Sequence, residues 1–376
     1  MRIAHVTLDG GFPRYGIGLA VLSLAKAQSL AGHDVVLCVR AENAESFLAT
    51  TSHGVRVAPL TRRRGLFGGR RGYLRQIRDA LAPSTDVVHV HTLVRMAHWL
   101  LPARARGGAP LVVTAHASDE LGPTASPAGD ASPSRARRHV RQARAVLRRA
   151  DAVIVPSRFM ERVVRGVHDR VAIHVIGHGP TDERPVARSA STEFVVTALA
   201  RFVPVKGLDV LIDAFASALR DDATSRLVLA GEGPQRQALQ SQVRALGIED
   251  RVAFPGYVDG DARAALLGRT AVVAVPTQGD YETFGLAALD GRAAGCVVLV
   301  SAGGALPERV DAFGGIVVSD PSVTAWESAL RHVRGDQRTR DAAVRDASRV
   351  LGENSWRRSA SEHEIAYRRA LKPFGT

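Results

Sequence analysis

The stretch Tyr281-Glu282-Thr283-Phe284-Gly285-Leu286-Ala287-Ala288-Leu289-Asp290-Gly291-Arg292-Ala293-Ala294-Gly295 decides the fold. An apolar run over 271–275 precedes it and stops at Pro276, and another apolar run over 297–300 follows it. Apolar run, helical pattern, glycine and apolar run spell strand, helix and strand. Strands without polar alternation belong to a parallel sheet covered on both faces. Glu282 falls in the strand-to-helix loop and Asp290 two turns into the helix, so both lie near one edge of the sheet. The helix start between them offers free N–H groups and partial positive charge, which suit a phosphate. Carboxylates beside such a site can accept hydrogen bonds from sugar hydroxyls, and the combination suits a nucleotide sugar.

The same alternation runs through the chain. Strand-like runs lie at 3–8, 34–39, 55–60, 87–91, 111–114, 152–155 and 172–176, with helical patterns at 17–30, 73–81, 93–106, 134–149 and 157–167. Residues 177–192 contain Gly, Pro, Ser and Asp without apolar periodicity and read as a linker. A second series has strands at 194–199, 227–230, 252–254, 272–275, 297–300 and 316–318. Its helices start near Gly207, Pro234, Gly260, Phe284 and Thr324, and two more cover 338–351 and 356–371. The expectation is an α/β protein of two facing, doubly wound, Rossmann-like domains, 1–180 and 193–354, with a cleft between them. A last helix, 355–376, is expected to return to the first domain. Such sheets bind ligands beyond the carboxyl ends of their strands.

A chain of 376 residues with 45% hydrophobic side chains can bury two sizeable cores. No apolar run approaches the roughly 20 residues of a membrane span. Met1-Arg2-Ile3-Ala4-His5-Val6 reads directly as a strand, so a signal peptide is not expected. The two cysteines, Cys38 and Cys296, sit beside strands and read as small buried apolar groups, which makes the cytoplasm the expected compartment.

The net charge of +13 is one-sided: residues 1–185 hold 27 basic and 14 acidic side chains, and the remainder holds 23 of each. Arg62, Arg63, Arg64, Arg70, Arg71, Arg75 and Arg78 form one cluster. Arg135, Arg137, Arg138, Arg141, Arg144, Arg148 and Arg149 form another at helical spacing. One reading is attraction to an anionic membrane surface or an acidic acceptor. The other is a solvated surface in an arginine-biased chain, since three lysines accompany 47 arginines. Nucleic acid is not an expected partner, because aromatics make up 5% and do not interleave with the basic runs.

Chemistry-bearing residues recur where strands end. Arg201 and Lys206, on either side of Pro204, follow the first strand of the second series and can grip a diphosphate. Gly231-Glu232-Gly233-Pro234 again joins a strand to a helix, with glycines that permit close backbone approach. Tyr257 follows the next strand, and Gly303-Gly304-Ala305-Leu306-Pro307-Glu308 follows the fifth. In the first half, His116 ends a strand, and His89 and His91 share one strand face. With His116 they suggest a metal, but no Cys, Asp or Glu set at a familiar spacing joins them. Asp259-Gly260-Asp261 reads as a helix N-cap rather than a metal motif. Residues 119–134 read as a mobile acceptor lid or as a plain disordered loop. No strand leads into Gly-x-Gly-x-x-Gly with an acid about 20 residues on, so a dinucleotide oxidoreductase has no support.

Together these residues resemble the retaining glycosyltransferases of family 4, which have two Rossmann-like domains. Glu282 and Asp290 match the family's glutamate, seven residues, glutamate, with aspartate in the second place. Arg201, Lys206 and Gly207 match its arginine–lysine–glycine signature; Gly231, Gly233 and Pro234 match its Gly-x-Gly-Pro; His89, His91 and His116 match its first-domain histidines. The resemblance implies Asp290 on the ribose, Glu282 on the sugar hydroxyls, and Arg201 and Lys206 on the leaving diphosphate. It places Gly231, Tyr257, Thr283, Phe284, Gly285 and Leu286 against the donor. His116 would orient or polarise the donor sugar. Gly16 and Gly18, split by Ile17, would approach the donor phosphate, with Gly10-Gly11 as a rival pair. Trp356 would anchor the last helix.

The implied reaction is metal-independent transfer, with retention, of a hexose from a nucleoside diphosphate sugar, UDP-sugar favoured, to a hydroxyl acceptor. No cofactor is implied. The acceptor is expected to be a small natural product such as an antibiotic aglycone or aminocyclitol. Alternatives are a lipid or cell-envelope glycan met at the inner membrane face, and a nucleotide-sugar-binding module without transfer activity.

Overall fold

The computed structural model describes residues 1–7, 16–42, 44, 54–61, 70–81, 84–94, 96–104, 108–117, 121, 133–189 and 192–371. Its contacts divide the chain into two units, one running to His178 and resuming at Trp356, the other spanning Gly179–Ser355.

In the first unit, β1 (Arg2–Thr7), β2 (Asp34–Arg40), β3 (Arg56–Leu60), β4 (Val87–Val90), β5 (Leu111–Thr114), β6 (Ala152–Val155) and β7 (Ile173–Val175) pair in parallel in the order β3-β2-β1-β4-β5-β6-β7. The connecting helices are α1 (Gly16–Leu30), α2 (Arg70–Ala80), α3 (Met96–Arg104), α4 (Pro133–Leu147) and α5 (Arg158–Val167). The central strands are buried along both faces because their residues are apolar without alternation. Met160 and Val164, one turn apart on α5, face the core, and Ser157 caps that helix by accepting from the Met160 N–H at 3.1 Å.

The second unit repeats the scheme with six parallel strands. These are β8 (Phe194–Leu199), β9 (Ser225–Ala230), β10 (Val252–Gly256), β11 (Thr270–Val275), β12 (Val297–Ser301) and β13 (Ile316–Val318), in the order β10-β9-β8-β11-β12-β13. Its helices are α6 (Leu208–Ala218), α7 (Arg236–Ala245), α8 (Gly260–Arg269), α9 (Leu286–Ala293), α10 (Leu306–Phe313), α11 (Val323–Gly335) and α12 (Gln337–Glu353). The last helix, α13 (Trp356–Leu371), belongs to the first unit. Trp356 packs there among Ala20, Leu24 and Ala360, and Tyr367 lies under Ile3, Val112 and Ile154.

In each sheet the strand order reverses once, at β1/β4 and at β8/β11. Loops leaving such a pair diverge and open a crevice at the carboxyl edge.

Helix α10 has no counterpart among the helices expected from the sequence, where 303–308 stood out only as a motif following the fifth strand. Pro307 is accommodated in its first turn, where a missing N–H costs nothing. Asp259 stands at the N-cap of α8 as expected but makes no side-chain capping bond. Cys38 and Cys296 are buried and unbridged, and burial raises their thiols to about 12 and about 11. The 119–134 loop (apart from Leu121, Pro133 and Ser134), the Gly10-Gly11 pair and the run Arg62-Arg63-Arg64 lie outside the described residues.

Candidate active site

At the carboxyl edge of the second sheet, the loops after β8 and β11 are stitched together. The chain leaves β8 through Arg201, makes one tight turn over Pro204–Lys206 and passes Gly207 in a left-handed conformation. A Cβ at Gly207 would stand 2.3 Å from the carbonyl oxygen of Pro276, which follows β11. Only glycine allows that approach. The Gln278 N–H donates to the Val205 carbonyl at 2.8 Å and closes the seam. Lys206 is thereby aimed at Glu282, and the two form a close ion pair, each side chain a little under one-fifth exposed. Thr277, buried at the end of β11, donates from Oγ1 to the same carboxylate oxygen at 3.1 Å.

The backbone of Glu282 is gripped from the other side. The Ala305 N–H donates to its carbonyl at 2.7 Å, and a Cβ on Gly304, whose φ is +62°, would sit 2.3 Å from that oxygen. The Gly303-Gly304 motif therefore places Glu282. Burial pushes the Glu282 carboxyl up, but the charge of Lys206, the hydrogen bonds from Lys206 and Thr277 and the field of Arg201 outweigh it. The net shift is downward, so Glu282 is ionised. Arg201 is exposed at the same edge.

The segment between the acids packs against α10. Phe284 is buried under the Arg309 guanidinium, 4.9 Å from its ring centre, and Gly285 turns left-handed to start α9 with no side-chain cap on the helix N–H groups. Thr283 and Leu286 flank this turn, each half-buried. Tyr257, half-buried, follows β10 two strands from β8. Gly231 is a glycine for an internal reason: a Cβ there would lie 1.8 Å from the carbonyl oxygen of Ala200. It lets two loops of the protein meet.

Asp290 does not share partners with Glu282. It is buried on α9. Its Oδ1 accepts from the Thr181 N–H at 2.6 Å, and its Oδ2 accepts from Thr181 Oγ1 at 2.7 Å and from the Arg263 guanidinium. Thr181 comes from the segment read as linker and Arg263 from α8, and neither stood out in the sequence. A ribose diol at Asp290 has to compete with these donors or use lone pairs they leave open.

In the first unit, His116 follows β5 and is buried. Its Nε2 meets His91 Nδ1 at 3.0 Å, and His91 Nε2 meets His5 Nδ1 at 2.9 Å. His5 Nε2 lies 2.6 Å from Gln28 Oε1, and Gln28 Nε2 lies 3.1 Å from Tyr367 Oη. Tyr367 reaches His89 Nδ1 at 2.7 Å, and His89 Nε2 reaches Thr114 Oγ1 at 2.7 Å. Burial drives His116 down to about 3 and His5 to about 4, and lowers His89 and His91 well below the ordinary value, so all four are neutral. The nitrogens of His5, His89 and His91 lie within 4.8 Å of one another, a spacing that could hold a metal ion. Each of their six nitrogens, however, already has a protein partner, and an ion would have to break that set. The sequence signals for His5 and Gln28 were a histidine inside an apolar strand and a glutamine inside an apolar helix. Gly16 opens α1 at the surface, and Gly18, two residues on, is buried.

Two parallel-sheet α/β units, one carrying a cation–carboxylate pair at its switch point, are the architecture of the GT-B fold. Solved structures agree. Sucrose-phosphate synthase of Thermosynechococcus elongatus matches with a TM-score of 0.82 at 20% identity, covering 98% of each chain. HepE of Anabaena, in complex with UDP and glucose, matches at 0.79 and 21%, covering 97% of this chain and 98% of that one.

The family model for glycosyl transferases group 1 matches residues 180–350, and that for glycosyltransferase family 4 matches residues 15–184. A D-inositol 3-phosphate glycosyltransferase of Saccharomonospora viridis is 31% identical over 312 residues, 77% of this chain and 71% of the relative. The chain belongs to glycosyltransferase family 4 and is a glycosyltransferase. Among the described residues, no helix is long and apolar enough to cross a membrane.

Proposed function

We propose that the second unit binds a nucleoside diphosphate sugar, UDP-sugar first among them, and that the enzyme transfers its hexose to a hydroxyl acceptor with retention. The observation that carries this reading is the Lys206–Glu282 pair at the β8/β11 switch point, with Arg201 beside it. Breaking the anomeric C–O bond builds positive charge on the sugar and negative charge on the leaving diphosphate. Fixed cations at the diphosphate lower that barrier without reorganising. Lys206 and Arg201 supply the charge, so no metal is required for it. Glu282, ionised, accepts from sugar hydroxyls. A leaving phosphate oxygen takes the acceptor proton as the acceptor attacks the face from which the phosphate departs. His116, neutral, orients the sugar. The UDP seen in the HepE structure supports uridine over other bases.

The relatives' name favours a phosphorylated cyclitol as the acceptor over an uncharged aglycone or a cationic aminocyclitol. The basic first unit suits such an anion. A second reading, a lipid or envelope-glycan acceptor at an anionic membrane, is favoured by Arg137, Arg138, Arg141, Arg144, Arg148 and Arg149, all exposed on and just after α4. Flotation with anionic vesicles separates the two, and absence of salt-sensitive binding removes the membrane.

The test of the donor site is a thermal-shift panel of UDP, GDP, ADP and their common hexoses. Native-state binding adds about 2.7 kcal/mol at a hundredfold excess over the dissociation constant. A shift confined to uridine nucleotides is expected. A folded protein that shifts with none of them is a non-catalytic relative.

A further inference from the structure

In the second unit the amino ends of β8 and β11 meet α11 and α12 around a cavity of about 230 Å³. It opens on the sheet edge opposite the Lys206–Glu282 pair, and strands of six residues separate the two edges by about 20 Å. Four arginines, Arg188, Arg269, Arg334 and Arg340, line it against two carboxylates, Glu193 and Asp341, an excess of two positive charges. Glu193 pairs with Arg226 at 3.2 Å, and Arg334 with Asp222 at 2.6 Å. Among the described residues, the other three arginines have no ion pair. Arg188, half-buried, rests Nη1 on the Leu267 and Thr270 carbonyls at 2.9 and 2.8 Å, and its Nε and Nη2 donate to no described residue. The Arg269 guanidinium, exposed at the end of α8, makes no hydrogen bond with the described residues. Arg340, half-buried on α12, is fixed by the Arg334 carbonyl at 2.7 Å and by Gln337 Oε1. Arg334 and Arg340 lie 5.3 and 5.8 Å from the ring centre of Phe194, so two like charges share one ring. Burial first, and the Arg334 charge second, hold Arg340 below the ordinary guanidinium range.

We propose that this cavity is a phosphate site separate from the donor site, in which Arg188, Arg269 and Arg340 hold the oxygens of inorganic phosphate or of a small phosphate ester. Guanidinium forks match phosphate oxygens two bonds at a time. Arg188 and Arg340 are already fixed by backbone carbonyls, so binding costs them little rotamer freedom. An anion among the arginines offsets the repulsion between Arg334 and Arg340. The cavity is smaller than the roughly 300 Å³ at which pockets for larger organic ligands begin, which favours a small anion over a nucleotide. Asp341, held by Gln337 Nε2 at 2.6 Å, is the lining carboxylate that opposes the anion, and three unpaired cations outweigh it.

The test is calorimetric titration of the full chain with inorganic phosphate at neutral pH, with ionic strength held constant by chloride. Wild type is expected to bind, and Lys206→Met, on the other edge of the sheet, is expected to keep the binding event. Arg269→Gln is expected to weaken it about tenfold or more, the worth of one charge-assisted hydrogen bond, and Arg269→Lys to restore part of the loss. Arg269 has no partner among the described residues, so both variants are expected to melt as wild type does in chloride alone. Glycerol 3-phosphate, titrated alongside, tells the two sources apart. Binding at least as tight as that of the free ion makes the occupant an ester, and weaker binding makes it inorganic phosphate. No heat beyond the chloride control, an event lost in Lys206→Met, or equal affinity in Arg269→Gln overturns the proposal. A donor panel without shifts leaves this site standing.

Discussion

Lys206, after β8, and Glu282, after β11, close an ion pair over the point at which the strand order of the second sheet reverses. Neither strand could reach the other's loop if the order were simply sequential. The fold brings the pair together, and the Gly207 and Gly304 backbones hold it.

Lys206→Met and Glu282→Gln are each expected to lower kcat/KM about 100- to 1000-fold, the cost of removing one fixed charge from a charge-developing reaction. Melting temperatures should stay near wild type, because both side chains reach solvent. Steady-state kinetics with the donor named by the panel checks this. Turnover at the wild-type rate in either variant would take the pair out of the chemistry.

Asp290 behaves differently. Asp290→Ala leaves Arg263, 14% exposed, without its carboxylate and frees Thr181 from α9. Breaking a buried pair in this way costs about 3 kcal/mol or more. Urea unfolding should show that loss, while Glu282→Ala shows little. Equal stability of the two variants would mean that the Arg263–Asp290 clasp is absent in solution.

Gly304→Ala places a methyl group against the Glu282 carbonyl on a backbone with φ of +62°. Strain of about 1–3 kcal/mol follows, and the chain relieves it by displacing Glu282. The expected outcome is a fall in donor affinity in calorimetry alongside a lower melting temperature. Unchanged affinity would show that the motif does not place the carboxylate.

Acid should attack the two units unequally. Burial holds His116 at about 3 and His5 and His363 at about 4, against 6.5 in the unfolded chain. Between those values the unfolded state binds more protons. The stabilisation is full above about pH 6.5 and declines as the pH falls toward about 4, by up to about 1.4 kcal/mol per pH unit for each histidine. The second unit has only His332, which is exposed. Peptide-resolved hydrogen exchange is expected to show β1, β4 and α13 losing protection in that window while β8 and β11 keep it. Simultaneous loss would contradict the depressed values.

The strand pattern was legible because parallel strands are apolar on both faces. All six strands of the second unit appear where the alternation puts them, within two residues at either end. Lys206 and Glu282 were legible because each lies in the loop that joins an apolar run to a helical pattern. The partners of Asp290 were not, because Thr181 and Arg263 lie 109 and 27 residues from it and belong to elements with no local signal. Gln28 was hidden likewise: its bonds go to a strand before it in the chain and to a helix 339 residues after it. Pairings between distant segments are set by tertiary packing, and a single sequence carries no periodicity for them.

Helix α13 gives the chain a particular order of assembly. Ile3, Val87, Val112 and Ile154 on one face of the first sheet are covered by Ala366, Tyr367 and Ala370. During synthesis the whole second unit emerges before that cover exists. The unit translated first is therefore the unit completed last. Until then its sheet leaves the ribosome with a bare apolar face and with Gln28 and His89 lacking the tyrosine that joins them.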